Sequence, residues 1–407
     1  MSALTSLLQF NSSNAINAED LLAVVSDRDS ETAVKSLIVD QSIANTYVQR
    51  GTIADAIELL QKLDHSPKQL IVDVSGSAMP LSDLARLSDI CEPSVAVVVV
   101  GDRNDVDLYR SLLGAGVQDY LFKPLSVGLL QRALSARDPG AAVRAGRAVS
   151  FVGARGGVGT TTIALSLARH LADVTHRHIA YVDLNVYGGA ANSMLGLTTN
   201  NGLTELLHAQ IVDTALINRM LVQKSNHLRV LSSELPYGDA FTCRPGAVSE
   251  LINTLKRQFH YVMLDLSGVA GSSIAEEALD ASAFAYITSD RSVHAARETS
   301  RWLRYAEERD SDPTIALLLN NPHENVPGRV DPADFKRALG RASMVELPYE
   351  PKTLAAAENL GESIATGKPT PFAAAIVELA NTLTGRSESA PSKQPWYARL
   401  TGNRGRT

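Results

Sequence analysis

The chain alternates short apolar runs with segments in which apolar residues recur every three or four positions. The runs are typical of buried strands, and the recurrence is typical of helices with one buried face. In the N-terminal third, strands are predicted at 21–26, 69–74, 95–100 and 119–122, and helices at 30–39, 53–60, 81–87, 105–114 and 127–134. Such alternation predicts a parallel sheet with helices on both faces. Residues 21–136 are therefore interpreted as one doubly wound α/β domain with five strands, four of which are the runs given above.

The same alternation resumes after residues 137–147, which mix Pro, Gly, Ala and Arg without apolar periodicity and are interpreted as a linker. Further strands are predicted at 148–152, 179–183, 227–231, 261–266, 284–288, 315–320 and 344–347. A last helix is predicted at 372–384. Residues 148–384 are therefore interpreted as a second, larger doubly wound α/β domain. The polar residues 1–20 are interpreted as a disordered arm and the basic residues 385–407 as a flexible tail.

Length and charge fit this division. A chain of 407 residues is too long for one ordinary core, and 45% hydrophobic with 20% charged residues is a globular composition. The net charge of −6 argues against a protein that mainly neutralises nucleic acid, so no specific nucleic-acid partner is expected. Cys91 and Cys243 lack the spacing of a metal or redox pair. The first residues do not have the basic, apolar and small-residue pattern of a signal peptide, and no apolar run reaches about 18 residues. A cytoplasmic protein without a transmembrane segment is therefore expected.

The most informative segment is 153–162 (GARGGVGTTT), which lies between a predicted strand and the amphipathic helix 163–171. Its glycines let the backbone turn tightly and direct N–H groups inward, and the helix adds the positive end of its dipole. This arrangement predicts a cradle for nucleotide phosphates. Its members are Gly153, Arg155, Gly156, Gly157, Val158, Gly159, Thr160, Thr161 and Thr162. The Thr161 hydroxyl stands at the position of an Mg²⁺ ligand.

The loop resembles the deviant Walker A motif of the MinD/ParA ATPases, which has a signature lysine before the paired glycines and a second lysine before the hydroxyls. Arg155 stands at the signature position, and Thr160 stands where the phosphate-binding lysine belongs. The resemblance implies a homodimer that binds ATP or ADP with Mg²⁺, in which Arg155 keeps a charge able to reach the partner's nucleotide. Thr160 lacks that charge, which predicts about ten- to a hundredfold weaker binding.

Other positions resemble the same family. Asp183 matches the first aspartate of the switch I motif, and Asn185 replaces the second, which in the family helps position the attacking water. An amide cannot accept a proton, so hydrolysis is predicted to be slow or absent. Asp265 resembles the Walker B aspartate that holds Mg²⁺ through water, and Asn320 and Pro348 lie where the family contacts the base. Alone, Asp265 or Asn320 is better explained as a strand-end cap; their order beside the glycine loop favours the site.

The N-terminal domain resembles the receiver of response regulators. Asp73 ends the third strand, where a receiver has its phosphoacceptor, Asp27 follows the first strand, and Lys123 follows the fifth. Receiver chemistry also needs a second acidic residue for Mg²⁺ and a hydroxyl after the fourth strand. Ser26 and Gly101 stand at these positions. The sequence therefore favours a degenerate, protein-binding receiver over one that is phosphorylated on Asp73, and leaves both open.

A degenerate receiver joined to a MinD/ParA-like domain resembles the CpaE/TadZ family of Flp (Tad) type IV pilus assembly proteins, over residues 20–385. The resemblance implies a dimeric cytoplasmic factor, recruited to the inner membrane face or a cell pole, that positions other pilus assembly and secretion proteins. Nucleotide binding without fast hydrolysis suits such a scaffold, because binding alone stabilises a dimer by mass action.

Three other functions stay open on the sequence alone. A ParA-like partitioning ATPase would bind DNA through a basic surface of its dimer. A response regulator would accept phosphate on Asp73. A MinD-like division regulator would end in a membrane-binding amphipathic helix, for which residues 396–400 provide at most two turns.

Overall fold

The computed structural model describes residues 18–63, 66–135, 145–321, 328–340, 344–360 and 370–385. Two sheets define an N-terminal module (residues 18–135) and a C-terminal module (residues 145–385). The predictions for most of the arm, most of the linker and nearly all of the tail concern residues outside the described ranges. Two residues assigned to the arm and the linker are instead packed. Ala18 is 3% exposed, and the Gly146 N–H donates to the Lys256 carbonyl oxygen at 2.7 Å.

The N-terminal module is a parallel sheet of five strands covered by helices on both faces. Its strands are β1 (Leu21–Val25), β2 (Thr46–Arg50), β3 (Gln69–Asp73), β4 (Ala96–Gly101) and β5 (Asp119–Phe122). Its helices are α1 (Arg28–Gln41), α2 (Ile53–Lys62), α3 (Pro80–Ser88), α4 (Val106–Gly114) and α5 (Val127–Ser135). The strand order β2-β1-β3-β4-β5 is the flavodoxin-like order. One apolar cluster packs against α2, α3 and α4, and another packs against α1 and α5 on the opposite face.

Strand β2 is missing from the sequence prediction. Its residues are half-buried or exposed, because β2 lies at the edge of the sheet and pairs with β1. An edge strand with a solvated face needs no continuous apolar run, so the pattern of a buried strand does not reveal it. The other four strands agree with the sequence prediction to within one residue at each end.

The C-terminal module contains a larger sheet of eight described strands. The strands are β6 (Arg147–Gly153), β7 (Ile179–Asp183), β8 (Val222–Gln223), β9 (Leu228–Leu231), β10 (Tyr261–Asp265), β11 (Phe284–Ser289), β12 (Thr314–Asn321) and β13 (Met344–Pro348). The helices are α6 (Thr160–Arg169), α7 (Ala191–Leu195), α8 (Gly202–His208), α9 (Thr214–Met220), α10 (Ala247–Leu255), α11 (Ser273–Asp280), α12 (Val293–Glu307), α13 (Pro332–Leu339), α14 (Pro351–Leu360) and α15 (Pro371–Thr384). The order is β13-β12-β11-β6-β10-β7-β9-β8, parallel except for the short β8. No helix in the described part of the chain is long and apolar enough to span a membrane.

The central strands of this sheet position the candidate site. β10 lies between β6 and β7, with Asp265 in register with Asp183 on one side and Phe151 on the other. Parallel strands end at the same edge of a sheet, and ligands bind at this edge in doubly wound folds. Asp183, Asp265 and the loop that follows Gly153 therefore meet there. Helix α6 begins at Thr160, earlier than predicted, so the three threonines lie in its first turn.

The two modules contact each other at the amino ends of β7 and β10. Nη2 of Arg177 lies 2.6 Å from Oδ1 of Asp89, and Nε2 of His260 lies 2.8 Å from the Cys91 carbonyl oxygen. Nδ1 of His260 accepts the His178 N–H at 3.0 Å, which fits a neutral ring protonated on Nε2. Burial lowers the pKa of His260 to about 4. A cavity of about 300 Å³ lies at this junction.

Candidate functional site

The loop between β6 and α6 presents backbone donors to solvent. Gly157 and Gly159 have φ values of +76° and +90°, which side-chain-bearing residues rarely adopt. The N–H groups of Gly156, Gly157 and Gly159 donate no backbone hydrogen bond to any described residue, and Gly156 and Gly157 are exposed. Unpaired N–H groups ahead of a helix amino terminus form an anion site. The loop therefore fits the phosphate groups of a nucleotide.

The threonines after the loop differ in what they contact. Oγ1 of Thr161 lies 3.3 Å from Oγ of Ser267, which follows β10. Thr160 is buried, and its Oγ1 has no hydrogen-bond partner among the described residues. A β-carbon on Gly153 would come within 2.7 Å of that oxygen. Thr160 therefore fills space beneath the loop, whereas Thr161 faces the side of Asp265, as an Mg²⁺ ligand would.

Two buried carboxylates end the strands beside the loop. Asp265 accepts hydrogen bonds from the Tyr181 hydroxyl at 2.7 Å and from the Ser267 N–H at 2.9 Å. Burial, and then the charge of Asp265, raise the pKa of Asp183 to about 7, so Asp183 can hold or release a proton near neutral pH. Burial also raises the pKa of Tyr181 well above its usual value. The tyrosine hydroxyl therefore stays protonated and orients Asp265.

The Asn185 side chain is used within its own loop. Its Oδ1 accepts the Tyr187 N–H at 3.2 Å, and its backbone N–H donates to Oδ1 of Asp183 at 3.2 Å. A β-carbon on Gly268 would come 3.0 Å from its Nδ2, so the amide also packs against the turn after β10. Residue 185 therefore shapes a turn and supplies no base.

Asn320 is tied to the glycine-rich loop. Its Nδ2 donates a 2.8 Å hydrogen bond to the Val158 carbonyl oxygen. This approach requires Gly159, because a β-carbon there would lie 2.6 Å from Nδ2. Pro348 is exposed at the end of β13, and Thr162 is half-buried in α6. The base contacts assigned to Asn320 and Pro348 stay predictions.

Arg155 is paired within its own chain, with a carboxylate that the sequence interpretation missed. Asp290 follows β11 and is 2% exposed. Its Oδ2 contacts Nη2 of Arg155 and, at 2.5 Å, Nη1 of Arg329. Burial opposes ionisation of Asp290, but the two guanidinium groups and Ser292 outweigh it and hold the pKa of this carboxyl below its usual value. An acidic residue at a strand end was a usable signal for Asp290; no local pattern marks Arg329.

A second polar cluster lies at the carboxyl edge of the N-terminal sheet. Oδ2 of Asp73 accepts the Ser26 N–H at 2.8 Å and the Ser26 hydroxyl at 2.7 Å, and Oδ1 accepts the Ser75 N–H at 2.8 Å. Nζ of Lys123 lies 2.6 Å from Oδ2 of both Asp73 and Asp27. Burial opposes ionisation of both carboxyls, but these contacts outweigh it. They lower the pKa of Asp73 and lower that of Asp27 to about 2.

Gly101 leaves no room for the hydroxyl that receiver chemistry needs. A β-carbon at this position would overlap the Tyr120 ring, with Cε2 only 2.8 Å away. The Tyr120 hydroxyl donates to the Arg103 carbonyl oxygen at 2.7 Å, and Nη2 of Arg103 donates to the Ser77 carbonyl oxygen at 2.9 Å. Residue 101 therefore serves the packing of Tyr120.

These features define the class of the C-terminal module. A phosphate loop between a strand and a helix, with aspartates at the ends of adjacent parallel strands, is the arrangement of a P-loop nucleoside triphosphatase. The chain is similar to a ParA family ATPase from Chlorobium tepidum TLS, with 21% identity over 59% of this chain and 99% of that one and a TM-score of 0.52. It is also similar to the septum site-determining protein MinD with Mg-ADP from Pyrococcus horikoshii OT3, with 17% identity over 58% and 95% and a TM-score of 0.50. The module therefore has the fold of the MinD/ParA ATPases.

A third structure matches a smaller part of the chain. The pilus assembly protein CpaE from Caulobacter crescentus CB15 is 29% identical over 30% of this chain and 94% of its own, with a TM-score of 0.27. That score is too low to bear on fold or function. No protein-family model and no curated protein matches the chain.

Proposed function

We propose that the chain is a nucleotide-dependent, dimeric assembly factor for a Flp (Tad) type IV pilus machine, of the CpaE/TadZ type. It acts in the cytoplasm and is recruited to the inner membrane face or a cell pole. It binds ATP or ADP with Mg²⁺ and hydrolyses ATP slowly or not at all. One observation carries this proposal: the phosphate loop and its Mg²⁺-side residues are kept, whereas Thr160 and Asn185 lack the groups for charge neutralisation and water positioning.

Nucleotide binding is supported by the fit of the loop. The N–H groups of Gly156, Gly157 and Gly159 point to no described acceptor. Thr161 and Asp265 both contact Ser267, so they lie on one side of the loop, where Thr161 would hold Mg²⁺ directly and Asp265 would hold it through water. When bound, the ion neutralises phosphate charge.

Slow hydrolysis is supported by residue 185. An amide there removes the water-positioning carboxylate, and a contribution of that kind is typically about 10²- to 10⁴-fold in rate. Asp183 is buried at the end of β7 and is held by the Asn185 N–H. A dimer that needs only bound nucleotide tolerates the loss, because ligand binding stabilises it without turnover.

We assign the N-terminal module as a receiver-like domain that binds a protein partner. Its flavodoxin-like strand order and the Asp73–Lys123 pair support the likeness to a receiver. The Asp73 side chain is 0% exposed, and Ser26 and Ser75 donate hydrogen bonds to its oxygens, which argues against phosphate transfer to it. We propose residues 21–136 as the limits of the receiver-like domain and residues 148–384 as those of the ATPase-like domain.

The size and nucleotide content of the purified full chain test the biochemical part. With Mg-ATP we expect a dimer by light scattering that retains ATP and turns it over far more slowly than an intact MinD/ParA ATPase. Asp265→Asn should lose nucleotide and dimer together, whereas Asp334→Asn, at an exposed aspartate, should keep both. An empty monomer indifferent to ATP contradicts the proposal. Fast turnover that Asp183→Asn abolishes contradicts slow hydrolysis alone.

The biological part is tested in cells. A deletion strain should lose its Flp pili and regain them with the wild-type gene but not with Asp265→Asn. A deletion strain that keeps its pili contradicts the pilus role.

A ParA-like or MinD-like positioning ATPase fits the fold equally well, because such proteins are the structural neighbours of the C-terminal module. ATP-dependent binding of nonspecific duplex DNA that weakens with salt would favour the ParA-like role over pilus assembly.

A further inference from the structure

One carboxylate oxygen of Asp290 contacts two guanidinium groups. Nη2 of Arg155 donates a hydrogen bond to Oδ2, and Nη1 of Arg329 contacts the same atom. The Arg329 contact is an ion pair rather than an aligned hydrogen bond, because its Nη1 has no acceptor of good geometry among the described residues. Oδ1 accepts the Ser292 N–H at 2.9 Å and the Ser292 hydroxyl at 2.6 Å. One buried anion therefore holds two cations.

The two arginines differ in how they are held. Arg329 forms an antiparallel bridge with Ser292, and the adjacent Val330 N–H donates to the Arg291 carbonyl oxygen at 2.7 Å. The Arg329 side chain is only 15% exposed. Arg155 lies in the glycine-rich loop with a side chain that is 34% exposed, and its Nη1 donates to the loop's own backbone at 2.8 Å. Arg329 is anchored, and Arg155 is the arginine with room to move.

Arg329 lowers the free-energy cost of releasing Arg155 from Asp290. A buried carboxylate that loses its only counterion is strongly destabilised. With Arg329 in place, Asp290 stays paired when the Arg155 guanidinium turns towards a phosphate group. Without Arg329, the same movement leaves Asp290 with only the hydrogen bonds from Ser292 among the residues that the structure describes.

We propose that Arg329 is a positioning residue for nucleotide binding: it keeps Asp290 paired, so that Arg155 is free to bind a phosphate group at the glycine-rich loop. The inference rests on the proposed nucleotide binding. It holds for the nucleotide of the same chain and for that of a second copy, because Arg155 leaves Asp290 in both cases.

Calorimetric titration of the full chain with Mg-ATP and with Mg-ADP tests the inference. Arg329→Ala should weaken binding about tenfold, and Arg329→Lys should stay within about threefold of wild type. In an Arg155→Ala background, Arg329→Ala should have no further effect on the affinity of the chain that circular dichroism shows to be folded, because Arg329 acts through Arg155. In an Asp290→Asn background it should also have none, because no buried charge is left to pair.

A nucleotide-free measurement gives a second readout. The coupling between Arg155 and Asp290, from urea unfolding of the two single variants and the double variant, should be larger in Arg329→Ala than in wild type. Where Asp290→Asn does not fold, the comparison in the Arg155→Ala background needs no change at Asp290.

Unchanged affinity in Arg329→Ala overturns the inference alone, and so does an equal loss of affinity in the Arg155→Ala background. A wild-type chain that binds neither ATP nor ADP overturns the proposed function and the inference together.

Discussion

The Tyr181 hydroxyl donates a 2.7 Å hydrogen bond to Oδ2 of Asp265 inside the sheet of the C-terminal module. The two residues meet across the neighbouring strands β7 and β10, at the edge where the glycine-rich loop begins. A tyrosine within an apolar strand thus orients the carboxylate that faces the candidate Mg²⁺ position. Mutation of a group that orients a metal-binding side chain in this way typically lowers metal affinity about 10- to 100-fold.

Replacing this tyrosine should lower stability and Mg-nucleotide affinity together. Tyr181→Phe removes a hydrogen bond to a buried carboxylate, which we expect to lower the free energy of unfolding by about 2 kcal/mol. Urea unfolding and calorimetric titration measure the two effects. Tyr286→Phe is the matched control, because Tyr286 is also 2% exposed or less and donates no hydrogen bond to a described residue. Equal losses in both variants would show that the bond to Asp265 is unimportant.

The raised pKa of Asp183 predicts a pH-dependent difference between wild type and Asp183→Asn. The pKa of Asp183 in the folded protein is about 7, above the usual aspartate value of about 3.9, so ionisation lowers the stability of the folded state as pH rises between these two values. Asparagine has no such cost. The stability of Asp183→Asn relative to wild type should therefore rise between about pH 4 and pH 7, by at most about 1.4 kcal/mol per pH unit, and level off above pH 7.

Urea unfolding of both proteins from pH 4 to pH 8 measures this difference. Burial also raises the pKa of Glu92 to about 7 and lowers that of His260. Both groups are present in both proteins, so their contributions to the stability difference cancel. A stability difference that does not change with pH would refute the raised pKa of Asp183.

A methyl group at Gly101 should destabilise the N-terminal module. Gly101→Ala places a β-carbon against the Tyr120 ring, and overpacking of this kind costs about 1–3 kcal/mol. Gly114→Ala is the control, because nothing lies within 4 Å of its β-carbon position in α4; we expect it to be neutral or to stabilise by about 0.5–1 kcal/mol. Urea unfolding distinguishes the two. Equal effects would exclude Tyr120 as the reason for glycine at position 101.

Lys123 should be needed to hold Asp73 as a buried anion. Lys123→Met leaves a carboxylate that is 0% exposed without its counterion, and we expect a loss of about 3 kcal/mol at pH 7. The loss should shrink as pH falls, because burial without Lys123 raises the pKa of Asp73 and the carboxyl then takes up a proton at a higher pH than in wild type. Lys35→Met, whose exposed pair with Glu31 lies on the surface of α1, should cost less than about 1 kcal/mol.

The burial and the hydrogen bonds of the Asp73 carboxylate predict that it resists phosphorylation. Incubation of the full chain with acetyl phosphate and Mg²⁺ should leave its mass unchanged, because the carboxylate is buried and both of its oxygens accept hydrogen bonds. A gain of one phosphate in wild type that Asp73→Asn abolishes would favour the response-regulator function.

The sequence predicts the buried strands and the glycine-rich loop well, and it predicts pairing between distant side chains poorly. β1 and β7 are recognisable because a strand buried on both faces must be apolar along its length. β2 is not, because its place at the sheet edge removes that requirement. Asp290 and Arg329 meet only because the bridge between Ser292 and Arg329 brings a later segment back to the end of β11, and no local pattern encodes that contact.

The junction between the modules has a mechanical consequence. His178 and His260 lie directly before β7 and β10, and Asp183 and Asp265 end the same strands, so five extended residues, about 16 Å, join the junction to the candidate site. Besides the covalent chain, the Arg177–Asp89 pair and the His260 hydrogen bond join the N-terminal module to the amino ends of these two strands. Both strands are buried along their whole length, so the junction is braced against the same two strands that carry the carboxylates of the candidate site.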